Sequence, residues 1–179
     1  MLIVISGPSG VGKGTVCKKV SEMTGIRIAI SATSREQRKG EKEGRDYYYI
    51  NEEEFRLRID RGDFLEYAVV YGHYYGTLKT EVNEGDVILE IDTQGAMKVL
   101  KVMPEVLSIF LIPPSMDELR DRIVKRGREP KEAIEARLKA AEAEIDIGQR
   151  RYKHVVTNDD INSAAKEIAE IIKAEQQKS

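Results

Sequence analysis

Apolar residues in this chain come in short continuous runs rather than in strict alternation. Five such runs stand out: Leu2 to Ser6, Ile26 to Ser31, Val87 to Asp92, Leu107 to Ile112 and Val155 to Asn158. A strand that is apolar on both pleat faces suits a parallel sheet packed between helices. The segments between the runs carry helical spacing. The pattern therefore predicts an α/β fold, with about five parallel core strands and helices on both sides. In open sheets of this kind, ligands lie beyond the C-terminal strand ends. A glycine-rich stretch after Ser6, and Ser31, Asp92 and Asn158, all fall at such ends.

Punctuating residues set the helix boundaries. The first helix is predicted from Lys13 to about Thr24, stopped by Gly25. Asn51 with Glu54, and Ser115 with Glu118, have capping-box spacing. They open helices running to about Arg61 and to Arg126, before Gly62 and Gly127. A further helix spans Gln94 to Met103, ahead of Pro104. A long one begins at Pro130, with Ala133, Ile134, Leu138, Ala141 and Ile145 on its apolar face. The last, from about Asn162 to Ala174, turns Ala165, Ile168, Ala169 and Ile172 inward.

Two parts stand outside this core pattern. Residues 32–77 hold most of the tyrosines and read as short strands, Tyr47 to Ile50 and Tyr67 to Tyr75, around one helix. Residues 120–142 are dense in arginine. Each follows a core strand, so both can fold over a ligand at the sheet's C-terminal edge. The expected organisation is one domain: a core of 1–31, 78–119 and 143–179, an inserted part at 32–77 and a lid at 120–142.

Composition narrows the class. The 179 residues suffice for one domain with a real core. A net charge of -2, from 29 basic and 31 acidic residues, gives no global basic field for nucleic acid or an anionic membrane. Cys17 is the only cysteine, so an internal disulfide is excluded and a reducing compartment is expected. No apolar run approaches the roughly 20 residues of a membrane span. The first strand starts at Leu2, leaving no room for a signal peptide. The expectation is a soluble cytoplasmic protein without nucleic-acid or membrane partners; its oligomeric state is open.

The glycine-rich stretch is Gly7-Pro8-Ser9-Gly10-Val11-Gly12-Lys13-Gly14-Thr15. Strand, glycine-rich turn and a helix opening on lysine is the phosphate-binding loop arrangement. Glycines let backbone N–H groups converge on phosphate oxygens, the helix N-terminus adds positive potential, and Lys13 adds a mobile cation. The strict pattern places Ser or Thr after the lysine as a magnesium ligand. Here Gly14 stands there, with Thr15 one position late. The loop predicts a nucleotide phosphate-donor site, with Thr15 directed at phosphate rather than metal.

Three further arrays accompany the loop: Ser31, Arg35, Arg38, Gly40, Glu41, Gly44 and Tyr47; then Asp63 to Glu66 and Gly72 to Thr77; then Glu90 to Gly95. In this order, from the first strand to Asn158-Asp159-Asp160, the whole chain resembles the guanylate kinases. The resemblance implies transfer of phosphate from ATP to GMP or dGMP, with magnesium. It implies a P-loop nucleoside monophosphate kinase fold, in which 32–77 takes the GMP. Arg35, Arg38, Tyr47 and Tyr75 would clamp the GMP phosphate, and Lys13, Arg35, Arg122, Arg126 and Arg137 would carry the transfer. Asn158 would lie near the adenine.

Glu66, Ser31 and Thr77 would read guanine. The base presents N1–H and its 2-amino group as adjacent donors beside the O6 acceptor, so a carboxylate and hydroxyls are the matching partners. Against adenine the carboxylate would face an acceptor, and an unpaired buried group can raise rejection to about 10⁴-fold. Asp92 has three readings: magnesium held through water, a contact to guanine, or the N-cap of the following helix. His73 and His154, the only histidines, lack metal-ligand spacing and read as structural. Relative to the family, the interval from Thr77 to Gly85 is about one helical turn short. Two rival functions remain at this level: a kinase of another monophosphate or sugar phosphate, and a non-catalytic guanylate-kinase-like binding module.

Overall fold

The computed structural model describes residues 1–126 and 130–178. The chain opens with β1 (Leu2–Ser6), α1 (Lys13–Thr24), β2 (Arg27–Ile28), β3 (Ser31–Thr33), β4 (Tyr48–Tyr49) and α2 (Glu52–Asp60). It continues through β5 (Phe64–Val70), β6 (His73–Leu78), a 3-10 turn at Lys79–Val82, β7 (Val87–Glu90), α3 (Thr93–Val102) and β8 (Leu107–Ile112). It ends with α4 (Met116–Arg126), α5 (Lys131–Arg151), β9 (His154–Thr157) and α6 (Ile161–Gln176).

The core sheet is parallel, in the order β2-β7-β1-β8-β9. Its pleat explains the continuous apolar runs. Ile3, Ile5, Leu107, Ile109 and Leu111 pack on one face with Val16 and Val20 of α1 and Ala165, Ile168 and Ile172 of α6. Val4, Leu89 and Phe110 pack on the other with Ala96 and Val99 of α3 and Tyr152 at the end of α5. Each large buried aliphatic contributes about 1.5–3 kcal/mol. Burial on both faces holds the strands whose C-terminal ends carry the candidate site.

A second sheet, in the order β4-β3-β6-β5, is built from the inserted part. Its satellite core stacks Phe55 of α2 on Phe64 and Tyr74, with ring centroids 4.4 and 5.1 Å apart. The arginine-rich segment has its own apolar seam: Leu119 and Ile123 of α4 pack with Leu138 and Ala141 of α5.

Two strand expectations are corrected. The run Ile26 to Ser31 does not stay in one sheet. β2 covers two residues, Ala29 still donates its N–H to Ile88 O at 2.9 Å, and the chain then crosses to the second sheet as β3. The Glu81 carboxylate accepts the Ile30 N–H at the crossing, at 3.0 Å, so no donor is stranded there. The second correction concerns Tyr67 to Tyr75, which is a hairpin rather than a strand. Tyr71 (φ 49°) and Gly72 (φ 81°) form its two-residue turn. A tyrosine in the left-handed region is unusual, and that masked a turn of the type hairpins favour.

Helix ends fall within one or two residues of the expected positions. Asn51 Oδ1 accepts from Glu54 N at 2.8 Å, and Ser115 Oγ from Glu118 N at 3.1 Å. Both act as N-caps, but the Glu54 carboxylate bonds Arg58 instead of closing a capping box. The short interval after Thr77 is filled by the 3-10 turn. Gly127 and Arg128 lie outside the described residues, as does the side chain of Arg126.

Candidate active site

β1 delivers the glycine-rich loop directly to the C-terminal edge of the core sheet. Gly10 (φ 88°) and Gly12 (φ 94°) take left-handed backbone conformations that side chains rarely adopt. Gly12 caps α1 without any side-chain acceptor, so the first-turn N–H groups face outward as donors for an anion. Lys13 Nζ meanwhile donates to Gly7 O at 3.2 Å, folded back along the loop. Ser9, Gly14 and Thr15 are exposed, and Pro8 and Val11 are buried beneath the loop.

The loop is braced from the far end of the sheet. Asn158, after β9, is buried; its Nδ2 donates to Val11 O at 2.7 Å, while its Oδ1 has no partner. Arg122 Nη1 donates to Asn158 O at 3.0 Å and to Val11 O at 3.4 Å. These two predicted residues therefore meet each other and the loop backbone. Neither lines the cleft in front of it.

That cleft, about 310 Å³, is lined by Lys13, Ser31, Arg38, Tyr47, Glu66, Tyr75, Glu90, Asp92 and Arg137, among others. Strand register puts three of the predicted residues in one row. Ser31 of β3 faces Thr77 of β6, and Thr77 faces Glu66 of β5. An irregularity between Phe64 and Glu66 sets the last register, a local bulge that re-aims a side chain. Glu66 Oε1 accepts from Thr77 N at 2.9 Å and from Thr77 Oγ1 at 2.8 Å. Burial pushes the Glu66 carboxyl up to about 7, against the pull of the Thr77 bonds, with Asp92 adding a smaller push.

Asp92 caps α3, its Oδ1 accepting Gly95 N at 3.0 Å, and it also lines the cleft. The N-cap reading therefore holds alongside a place in the cleft wall. Gly95 lies so close that a Cβ there would overlap Glu66 Oε2 and meet Asp92 Oδ1 at 3.1 Å.

Arg35 follows β3 and is buried, with Nε donating to Tyr75 Oη at 3.2 Å. Tyr47 packs edge-on to Tyr75, centroids 5.8 Å apart, under the Arg35 guanidinium. Burial, aided by the Glu90 charge, pushes the Tyr47 hydroxyl up to about 12, so it remains a neutral donor. Arg38 is exposed at the cleft rim. From α5, Arg137 reaches across to the hairpin tip and lies over the Tyr71 ring at 5.1 Å.

Sequence reasoning assigned no role to three acids near this site. Glu90 ends β7 beside Lys13, with its carboxyl raised by burial; a Cβ at Gly14 would come within 3.1 Å of its Oε1. Glu144 of α5 accepts from Thr93 Oγ1 at 3.0 Å, and its carboxyl is likewise raised by burial. Glu41 joins Arg35. Glu41 and Glu90 fall within the residue arrays that resemble the family; Glu144 carries no local signal, because a glutamate in a charged helix looks solvated. Among the described residues, no three His, Cys, Asp or Glu side chains group as a metal site. No described helix is long and apolar enough to cross a membrane.

The family model described as guanylate kinase matches residues 1–175. A guanylate kinase of Caldanaerobacter subterraneus is 51% identical over 181 residues, spanning 98% of this chain and 87% of the relative. One from Clostridium tetani is 48% identical over 180 residues, spanning 98% and 86%. Among solved structures, guanylate kinase from Anaplasma phagocytophilum superposes with a TM-score of 0.81 at 38% identity, covering 98% of this chain and 86% of that one.

Proposed function

The chain belongs to the guanylate kinase family, and from that premise we propose that it transfers the terminal phosphoryl group of ATP to GMP and dGMP. An oxygen of the acceptor phosphate attacks the γ-phosphorus, the bond to the β-phosphate oxygen breaks, and ADP leaves. The observation that carries the acceptor is the Ser31–Thr77–Glu66 row across three adjacent strands, in which Ser31 and Glu66 line the same cleft as Lys13 of the loop and Thr77 is buried behind Glu66. Glu66 takes the guanine N1–H and amino donors, Ser31 supplies a hydroxyl, and Thr77, whose hydroxyl is given to Glu66, holds that carboxylate in place. Arg35, Arg38, Tyr47 and Tyr75 hold the GMP phosphate: the exposed Arg38 offers it a guanidinium fork, and Arg35 the N–H that Glu41, Glu36 and Tyr75 leave over.

On the donor side, Gly7 to Thr15 cradle the ATP phosphates. Phosphoryl transfer depends on positioning and charge neutralisation more than on covalent chemistry. Lys13, released from Gly7 O, neutralises outer phosphate charge; Arg126 and Arg137 of the lid add to it. Arg122 and Asn158 act by holding the loop backbone at Val11, and Asn158 stands at the adenine side of the site. The division into core, GMP-binding part (32–77) and lid (120–142) lets two segments close over the substrates and exclude water, which limits ATP hydrolysis.

The oxygen donors around Lys13 fit a hard divalent cation. Magnesium keeps several waters and takes one or two carboxylates plus substrate phosphates, so a closed protein cage is not required. Asp92, acting through water, and Glu90 would hold it. Bound there, it would supply neutralisation of charge on the ATP phosphates. The reading places the enzyme in the cytoplasm, in purine nucleotide metabolism.

A coupled ADP-release assay with ATP and magnesium across GMP, dGMP, AMP, CMP and UMP tests the assignment. GMP and dGMP are expected to be phosphorylated at least about 10²-fold better than the others. Equal rates on AMP and GMP would sink the role of Glu66.

A further inference from the structure

Glu41 lies in the loop after β3, in contact with the predicted phosphate clamp. Its carboxylate is held by four bonds. Arg35 Nη1 donates to Oε2 at 3.0 Å and Arg35 Nη2 to Oε1 at 2.9 Å. Arg38 N and Tyr49 Oη each donate to Oε2 at 2.8 Å. The guanidinium is fixed on its other edges too, by Tyr75 Oη at 3.2 Å and Glu36 O at 2.7 Å. Four of its five N–H donors are thereby committed, leaving one on Nη2. Tyr75 still has its own phenolic proton to donate.

We propose that Glu41 is a positioning residue for the acceptor-phosphate subsite. It locks the plane of the Arg35 guanidinium and, through the Arg38 amide, the backbone from which Arg38 reaches the phosphate. This rests on the proposed role of both arginines as a GMP clamp.

The physical case has two parts. A free arginine side chain carries rotamer entropy, which a fixed fork does not lose again on binding. Removing one partner of a buried pair also leaves its charge uncompensated. The competing idea is that Glu41 stands in for the phosphate and must leave when GMP arrives. Against it, Tyr49 of β4 and the Arg38 N–H hold the carboxylate independently of Arg35. It is a fixture of the subsite. The Arg35 bond holds its carboxyl down to about 2, so it stays charged throughout the working pH range.

The test measures GMP and guanosine binding by calorimetry in the wild type, Glu41→Gln and Glu41→Asp, together with steady-state kinetics. Glu41→Gln is expected to weaken GMP about tenfold and leave guanosine unchanged, since guanosine has no phosphate to clamp. KM for GMP should rise by the same factor with KM for ATP unmoved. Glu41→Asp keeps the charge on a shorter stem, is expected to fall between, and supplies the same readout if the glutamine variant does not fold. An unchanged preference for GMP over guanosine would overturn the proposal. Tighter GMP binding would overturn it in favour of a competing carboxylate, and equal weakening of both ligands in favour of a loop-folding role. A wild type that binds GMP no better than guanosine would instead overturn the clamp on which the proposal stands.

Discussion

Thr77 donates twice to one oxygen of Glu66, from its backbone N–H at 2.9 Å and its hydroxyl at 2.8 Å. The other oxygen is held against Gly95. One strand thus aims the carboxylate and a helix start leaves room for it. The carboxylate proposed to read guanine sits in surroundings that disfavour its charge.

That cost has a pH signature. Unfolded, Glu66 titrates near an ordinary glutamate; folded, it is raised to about 7, first by burial and then by Asp92, with the Thr77 bonds and the Lys98 charge opposing. Below about pH 4.5 both states are protonated and the group contributes nothing. Between about 4.5 and 7 the unfolded chain loses the proton and the folded chain keeps it, so stability falls as pH rises. The loss is complete above 7, at about 3 kcal/mol. Glu90 and Glu144, raised by their own burial, push the same way. The difference between the wild type and Glu66→Gln isolates one group. Urea midpoints of the ligand-free proteins at pH 5 to 8 should diverge, the wild type losing ground as pH rises. Parallel curves would show that Glu66 is not held neutral.

Gly12→Ala should disable the donor side alone. Its Cβ would meet Asn158 Nδ2 at 2.7 Å at a φ of 94°, breaking the bond that holds Val11. ATP affinity is expected to fall more than about tenfold, an amount set by strain of about 1–3 kcal/mol, with GMP affinity retained. Lys13→Met should instead abolish transfer while preserving the fold and the binding of GMP. Calorimetry with each nucleotide, beside turnover, separates the two. Retained turnover in Lys13→Met would refute the role of the loop lysine.

Gly148→Ala should destabilise the core without touching the site. The added Cβ would overlap the Phe110 ring, which packs at 4.9 Å from Tyr152 between sheet and helix. Overpacking of this kind costs about 1–3 kcal/mol. A lower thermal midpoint with unchanged KM for both substrates is the expected result. Unchanged stability would mean that α5 shifts freely on the sheet.

Much of this protein is legible from local patterns. The core strands, the loop on β1 and the helix caps at Asn51, Asp92, Ser115 and Asp160 all depend on neighbours within a few residues. Periodicity and capping are local physics, so the sequence by itself determines them. Ser31, Arg35, Glu66 and Thr77 are also visible there, as residue types that suit the proposed guanine monophosphate.

Their arrangement is not local. Ser31, Thr77 and Glu66 are separated by up to 46 positions, and they form a row only because β3, β6 and β5 pair in that register. That register depends on a turn at Tyr71-Gly72 that the strand pattern concealed, and on an irregularity after Phe64. The tertiary structure alone decided that Asn158 and Arg122 brace Val11 and that Arg137 meets Tyr71. Each is a contact between elements whose sequences carry no record of one another. Hydrogen bonding and burial pair them only once the two sheets and the lid are folded together.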